Sequence, residues 1–184
     1  MTVKEVVKLA AENLGRQDLS QMIDAQEEEV SEEVVSLLRC FNLVENEVAL
    51  DYFPLKKEET FSPVSNRVPY TAFASAPVDI LGVRDGSGND VAFEIGSSQL
   101  FFPKKHERVT VKYAYAPAQK KLEDESDFSG KISARLLSFG VAGEFCLTAS
   151  RFSEAATWER RFLDALKAVN LIRRKLSMRS RRWI

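Results

Sequence analysis

The residues in this chain that could do chemistry are few and poorly placed for it. The single histidine, His106, stands in Pro103-Lys104-Lys105-His106-Glu107, a polar turn between two apolar stretches. A metal site needs several converging ligands, and a histidine–nucleophile pair needs a third group to orient it. No such company stands around His106, so an exposed loop histidine is expected. Cys40 and Cys146 fall inside apolar helical patterns, where a thiol serves as a small buried hydrophobe rather than a disulfide partner or ligand. Asp85-Gly86-Ser87-Gly88-Asn89 resembles a fragment of a calcium loop. The twelfth position of such a loop, however, is Gly96 rather than glutamate. The stretch also lacks the lysine and following helix of a phosphate-binding loop, so it reads as a hairpin turn. Carboxylates cluster at Glu27-Glu28-Glu29, Glu32-Glu33, Glu58-Glu59 and Glu123-Asp124-Glu125. None lies in an apolar run of the kind that raises a catalytic carboxyl pKa, and solvated faces are expected. The chain is therefore expected to have no catalytic centre, no metal and no cofactor.

Charge is distributed unevenly behind a net value of −1. Between residues 26 and 51 the acids Glu27, Glu28, Glu29, Glu32, Glu33, Glu45, Glu47 and Asp51 face one base, Arg39. From residue 160 onward, Arg160, Arg161, Lys167, Arg173, Arg174, Lys175, Arg179, Arg181 and Arg182 are opposed by Asp164 and the terminal carboxylate. So dense a cationic run, with Trp183 beside it, exceeds what solubility needs and points to a partner.

The elements that must carry these residues follow from periodicity. The length of 184 residues, 45% hydrophobic, suits one domain or one domain with an insertion. The apolar runs are too short to cross a bilayer, and the start lacks the pattern of a signal peptide, so the cytoplasm of the producing cell is expected and no membrane partner. Thr2 and Glu5 form a capping box, and Val3, Val6, Val7, Ala10 and Leu14 predict a helix over 3–14, stopped by Gly15. A short helical turn is expected from Ser20, and a polar connection over 24–29. Val34, Leu37, Leu38, Phe41, Val44 and Val48 predict a long helix from Ser31 that closes at Phe53-Pro54. Strands are predicted over 68–74, 78–83, 91–95, 100–102 and 109–115, where the period becomes two and turn residues recur. Residues 117–127 read as an exposed return. A third long helix is expected from about Ser129, in which Gly140 and Gly143 would let another helix approach closely. A final helix opens at Ser153-Glu154 and extends to about Leu176. The fold class is α+β: a helical bundle of N- and C-terminal helices (1–53 and 129–178) with an inserted small antiparallel β sandwich or curled sheet (55–116). A basic tail (173–184) completes a single domain.

Several runs carry a resemblance. They are Leu38-Arg39-Cys40-Phe41-Asn42-Leu43-Val44 with Glu47 and Asp51-Tyr52, and Phe139-Gly140-Val141-Ala142-Gly143-Glu144-Phe145. Ala155-Ala156-Thr157-Trp158-Glu159-Arg160-Arg161-Phe162 and Ser180-Arg181-Arg182-Trp183 complete the set. With the order of elements, the chain resembles the head-to-tail adaptor proteins of tailed phages, also called connector, head-completion or tail tubular A-type proteins. The resemblance implies a structural protein of the virion neck, assembled in the host cytoplasm. It implies a homo-oligomeric, twelve-fold ring under the portal, a downstream tail or tail-completion protein as second partner, and a channel through which DNA passes without sequence-specific recognition. By position alone it also implies that the C-terminal segment docks on the portal, through Arg173, Arg174, Lys175, Arg179, Arg181, Arg182 and Trp183.

Two other readings compete. A nucleic-acid-binding protein would use the basic C-terminal segment against phosphates, with affinity falling steeply with salt. Against it stand a sequence pI of about 6.0 and the lack of a recognised binding motif. An enzyme with a dispersed active site would need a deep pocket with converging titratable groups.

Overall fold

The structure is a computed structural model that describes residues 1–25, 31–128, 130 and 132–173, the last four by their backbone alone. The chain divides into two compact units, one formed by Met1–Val44 together with the chain from Lys120 onward, the other by Glu45–Gln119. The fold is α+β, with helices at both ends of the chain and two small antiparallel sheets between them.

In the helical unit, α1 spans Val3–Asn13 and starts as its sequence predicts: the Thr2 hydroxyl accepts the Glu5 N–H at 3.2 Å. Gly15 follows in the left-handed region at φ 72°, which a residue without Cβ adopts freely. Val3, Val6, Val7, Ala10 and Ala11 are buried along one face. The strand-like entry to α1 is tied to a distant segment: Val3 N–H donates to Asp124 O, Lys4 N–H to Leu122 O, and Ser126 N–H to Met1 O. Residues 117–127 are thus not a free return; Pro117 and Ser126 are buried, and Asn42 joins Lys120 through both backbone groups. Replacing Thr2 by alanine removes one cap acceptor and is expected to cost about 1 kcal/mol in urea unfolding followed by the helical circular dichroism signal. An unchanged midpoint would refute the cap.

Helix α2, Gln17–Ala25, begins earlier than the turn expected from Ser20, because Leu19 and Ile23 are apolar anchors a single turn apart and Ser20 is itself buried. Helix α3, Glu32–Glu47, continues into a π-helical turn over Val48–Tyr52, closed by Phe53 N–H donating to Val48 O at 2.7 Å. The third long helix, α4, is Ala134–Thr148, capped by the Ser133 hydroxyl, which accepts the Leu136 N–H. The expected start at Ser129 is therefore displaced, and Ser129 itself lies outside the described residues. Helix α5 is Phe152–Arg173. Gly140 makes the close approach expected of it: a Cβ there would lie 2.7 Å from Val44 Cγ1 and 3.0 Å from Phe162 Cε2. Gly143 faces the α5 backbone at ordinary contact distance.

The β unit holds two three-stranded sheets. In one, β1 (Leu55–Phe61) and β3 (Pro77–Asp85) flank the central β6 (Val109–Tyr115). In the other, β2 (Arg67–Pro69) and β4 (Glu94–Ile95) flank β5 (Gln99–Phe101). Val68, Val83, Leu100, Val109, Val111 and Tyr113 share one buried core, so the sheets form a small sandwich. The expected strand over 68–74 ends at Pro69, where a 3₁₀ turn over Tyr70–Ala72 takes over, and that over 91–95 is confined to Glu94–Ile95. Strand β1 falls inside the expected β insertion of 55–116 but was not among the individual strands predicted. Its inward positions include Lys57 and Glu59, which are half-buried and polar.

Candidate functional site

Helices α4 and α5 pack side by side, and their outer surface carries an ordered row of four side chains. Arg135 and Phe139 are one helical turn apart on α4, and Trp158 and Arg161 one turn apart on α5, so each pair shares a face of its helix. The two rings stack across the interface with centroids 5.9 Å apart and planes 27° from parallel. The Arg135 guanidinium lies over Phe139 at 5.5 Å, and that of Arg161 over Trp158 at 4.7 Å. Both rings are half-buried and both arginines exposed. Such contacts hold a guanidinium by its face and leave its in-plane N–H donors outward. Among the described residues no carboxylate forms an ion pair with Arg135, Arg160 or Arg161. The row is therefore a cationic surface whose charges are held in place yet unneutralised. Phe152, at the start of α5, leaves 67% of its surface in water.

No protein-family model and no curated protein matches the chain.

The residues singled out for chemistry are scattered. Half-buried, not fully exposed as expected, His106 sets its ring edge-on to Phe102 at 6.3 Å. Cys40 and Cys146 are buried free thiols; burial, aided by the Glu144 carboxylate, pushes Cys40 up to about 11, and burial likewise raises Cys146. Both are poor nucleophiles for that reason. Asp85 folds its carboxylate back on its own turn, with Oδ1 accepting from Ser87 N–H at 2.8 Å and Asn89 N–H at 2.9 Å. These bonds hold Asp85 below the usual carboxylate range. Glu58 and Glu59 diverge on alternate faces of β1: Glu58 pairs with Lys112, while Glu59 accepts the Tyr113 hydroxyl and the Ala74 N–H. No group of three or more histidine, cysteine, aspartate or glutamate side chains among the described residues is placed to hold a metal ion.

In the β unit a shallow groove of about 210 Å³ is lined by Tyr70, Val78, Asp79, Ile80 and Ile95 among others. Its polar groups are the Asp79 carboxylate and the Tyr70 hydroxyl, which is already donated to Gly96 O at 2.9 Å. This is less than the set of converging groups that acid–base or nucleophilic chemistry draws on.

Of the expected portal-docking run, Arg174, Lys175, Arg179, Arg181, Arg182 and Trp183 lie outside the described residues, and Arg173 is described as the last backbone position of α5. The acids Glu27, Glu28 and Glu29 also lie outside them. Sequence reasoning placed Trp158, Arg161 and Phe139 in runs that carry the resemblance and missed the row they form. The signal available was a cation and an aromatic ring at four-residue spacing in α4 and at three-residue spacing in α5.

Proposed function

We propose that this chain is a non-enzymatic assembly protein, a ring-forming head-to-tail adaptor of a tailed phage or prophage. In this reading a homo-oligomeric ring sits under the portal, passes contact to a tail or tail-completion protein, and surrounds the DNA channel. The observation that carries it is the Arg135–Phe139–Trp158–Arg161 row. Arginine and tryptophan are the residue types that dominate protein interfaces, and here they are pre-ordered on a helical surface with their charges open. Of the runs that resemble the adaptor proteins, 38–44 falls on α3, 139–145 on α4 and 155–162 on α5, and the last two carry Phe139, Trp158 and Arg161 of the row. In the same reading the segment 173–184 docks in a groove of the portal, with Trp183 filling a pocket and the arginines fixing its register.

The test is to mix the purified chain with the portal protein encoded alongside it and to follow co-sedimentation and negative-stain images. A ring bound to the portal is the expected result, and a chain cut after residue 178 should lose most of that binding. Failure of the full chain to co-sediment would refute the adaptor reading. Undiminished binding by the shortened chain would refute docking by the tail and leave the helical unit as the contact.

A further inference from the structure

We infer that strand β1 of one copy continues the β1–β6–β3 sheet of the next, pairing in parallel with the open edge of β3 and setting its Lys56 against Asp79. This rests on the adaptor reading and specifies how neighbouring copies of the ring meet. Three observations lead to it.

The first is that the sheet ends in two bare edges. Strands β1 and β3 each have a single neighbour, β6. Apart from their bonds to β6, the backbone groups of Leu55–Phe61 and of residues 77–82 make no backbone hydrogen bond among the described residues. Such an edge is a template for a further strand. The far end of β3 already pairs in this way: Val91 N–H donates to Val83 O, and Asp85 N–H to Asn89 O, both at 2.9 Å. After Val91 the chain leaves for β4 in the other sheet, and the edge over 77–82 stays uncovered.

The second is an apolar surface beside that uncovered stretch. The groove of about 210 Å³ is lined there by Tyr70, Val78, Ile80 and Ile95, and Val78 and Ile95 leave 55% and 64% of their surface in water. Its volume falls below the roughly 300–1,000 Å³ of small-molecule sites and is on the scale of a side chain. An extended strand carrying an apolar residue fits it better than a free ligand does.

The third is charge. Most charged side chains of the two strands are engaged within the copy. On β1, Lys57 donates to Ser75, Glu58 pairs with Lys112, and Glu59 accepts the Tyr113 hydroxyl. On β3, Arg84 lies 3.5 Å from Asp90, and Asp85 folds back on its own turn. Lys56 and Asp79 remain, both exposed, and neither forms a hydrogen bond or an ion pair among the described residues. The two leftover charges are opposite in sign and lie on opposite edges of one sheet.

Register brings these observations together. Lys56 and Asp79 are both opposite Ala114, and Leu55 and Pro77 both opposite Tyr115, so each pair shares one row across the sheet. Strands β1 and β3 both run antiparallel to β6 and are therefore parallel to each other. Extending the rows by one strand places Lys56 of the next copy beside Asp79, and its Leu55 beside Pro77 at the groove. The contact joins different surfaces, so it is heterologous, and repetition with a suitable rotation closes it into a ring. Pairing two β3 edges would stop at two copies and leave Lys56 unanswered.

Cross-linking and charge exchange in the full chain test the contact. Neighbouring strands lie about 4.8 Å apart, inside the window of about 4.4–6.8 Å between Cα atoms that a disulfide spans. A chain carrying both Lys56→Cys and Asp79→Cys is expected to link on oxidation into multimers of three or more copies, whereas wild type and each single-cysteine variant are not. Lys56→Asp alone and Asp79→Lys alone should each weaken self-association about tenfold in sedimentation velocity, since attraction becomes repulsion along a shared edge. The chain carrying both reversals should recover it. Ile95→Lys, which sets a charge in the groove wall, should weaken association as well. Circular dichroism with thermal melting checks that each variant keeps the native fold.

Wild-type rings, in solution or on portal particles, combined with a two-cysteine chain that does not link its neighbours would overturn this contact and leave the adaptor reading intact. Folded charge variants that assemble as wild type does, or a double reversal that recovers nothing, would overturn it in the same way. Efficient dimers from Asp79→Cys alone would show two β3 edges face to face and overturn it too. A wild-type chain that forms no ring, in solution or on the portal, would overturn the adaptor reading and the contact together.

Discussion

Replacing Gly140 by valine should destabilise the helical unit by about 3 kcal/mol, the upper part of the range for overpacking a close helix contact. The added Cβ would fall 2.7 Å from Val44 Cγ1, and 3.0 and 3.2 Å from two atoms of the Phe162 ring. Phe162 and Val44 are both buried, so neither can swing into solvent to make room. Alanine at the same position gains about 1 kcal/mol of helix propensity over glycine and still meets the same obstruction, so a net loss of about 1–2 kcal/mol is expected. Removing the obstructing methyl groups should recover part of it. In a double-mutant cycle Val44→Ala should cost less in the Gly140→Ala background than in wild type. Urea unfolding of the four proteins measures this. Gly140→Ala as stable as wild type would show that the helices relax apart at little cost.

Tyr113 is expected to be the most sensitive position of the β unit. It is fully buried on β6, its ring meets Phe73 edge-on at 4.9 Å, and its hydroxyl donates to Glu59. Truncation to alanine should cost about 3–5 kcal/mol, the range for large aromatic side chains in cores. Tyr113→Phe separates the hydroxyl from the ring and should cost about 1.5–3 kcal/mol, since the lost bond goes to a carboxylate. Burial first, and then the bond to Glu59, push the Tyr113 hydroxyl up from its ordinary value of 10 to about 12. The folded state therefore favours the neutral phenol. Its contribution is fully present below about pH 10 and is lost as pH rises toward about 12. Unfolding midpoints taken across that window should fall for wild type and fall less for Tyr113→Phe. Equal slopes for the two proteins would show that Tyr113 is not the titrating group.

How much of this was legible in the sequence depended on whether side chains obeyed the period of their element. Helix α1, helix α3 and strand β6 bury apolar residues at regular spacing, and each was readable from Val3 to Val7, from Val34 to Val44 and from Val109 to Tyr115. Strand β1 was not. In Leu55–Phe61 the inward positions include Lys57 and Glu59, which a binary pattern reads as solvent-facing. They are tolerated because Lys57 donates to Ser75 and lies over the Tyr115 ring, while Glu59 is satisfied by Tyr113 and Ala74. Helix α2 was dated late because Gln17 and Asp18 carry no apolar signal. The cation–aromatic row was out of reach for another reason. Its local spacings are visible one helix at a time, but the stacking of Phe139 on Trp158 depends on how closely α4 and α5 approach, which Gly140 and Gly143 decide through tertiary packing.

The tie between Met1, Val3 and Lys4 and the segment around Leu122–Ser126 has a consequence for how the chain comes off the ribosome. Helix α1 emerges before the segment it pairs with, and the backbone groups it must reach are more than a hundred residues further along the chain. Between them lies the stretch that folds into the β sandwich. Once that stretch has condensed, the path joining the two halves of the helical unit is effectively shortened, and the entropy lost on bringing them together falls. Synthesis order and topology therefore favour a sequence of events in which the sandwich forms while the N-terminal helices wait, and the helical unit closes last. Pulse-labelling hydrogen exchange during refolding should find β6 amides protected before those of Val3 and Lys4.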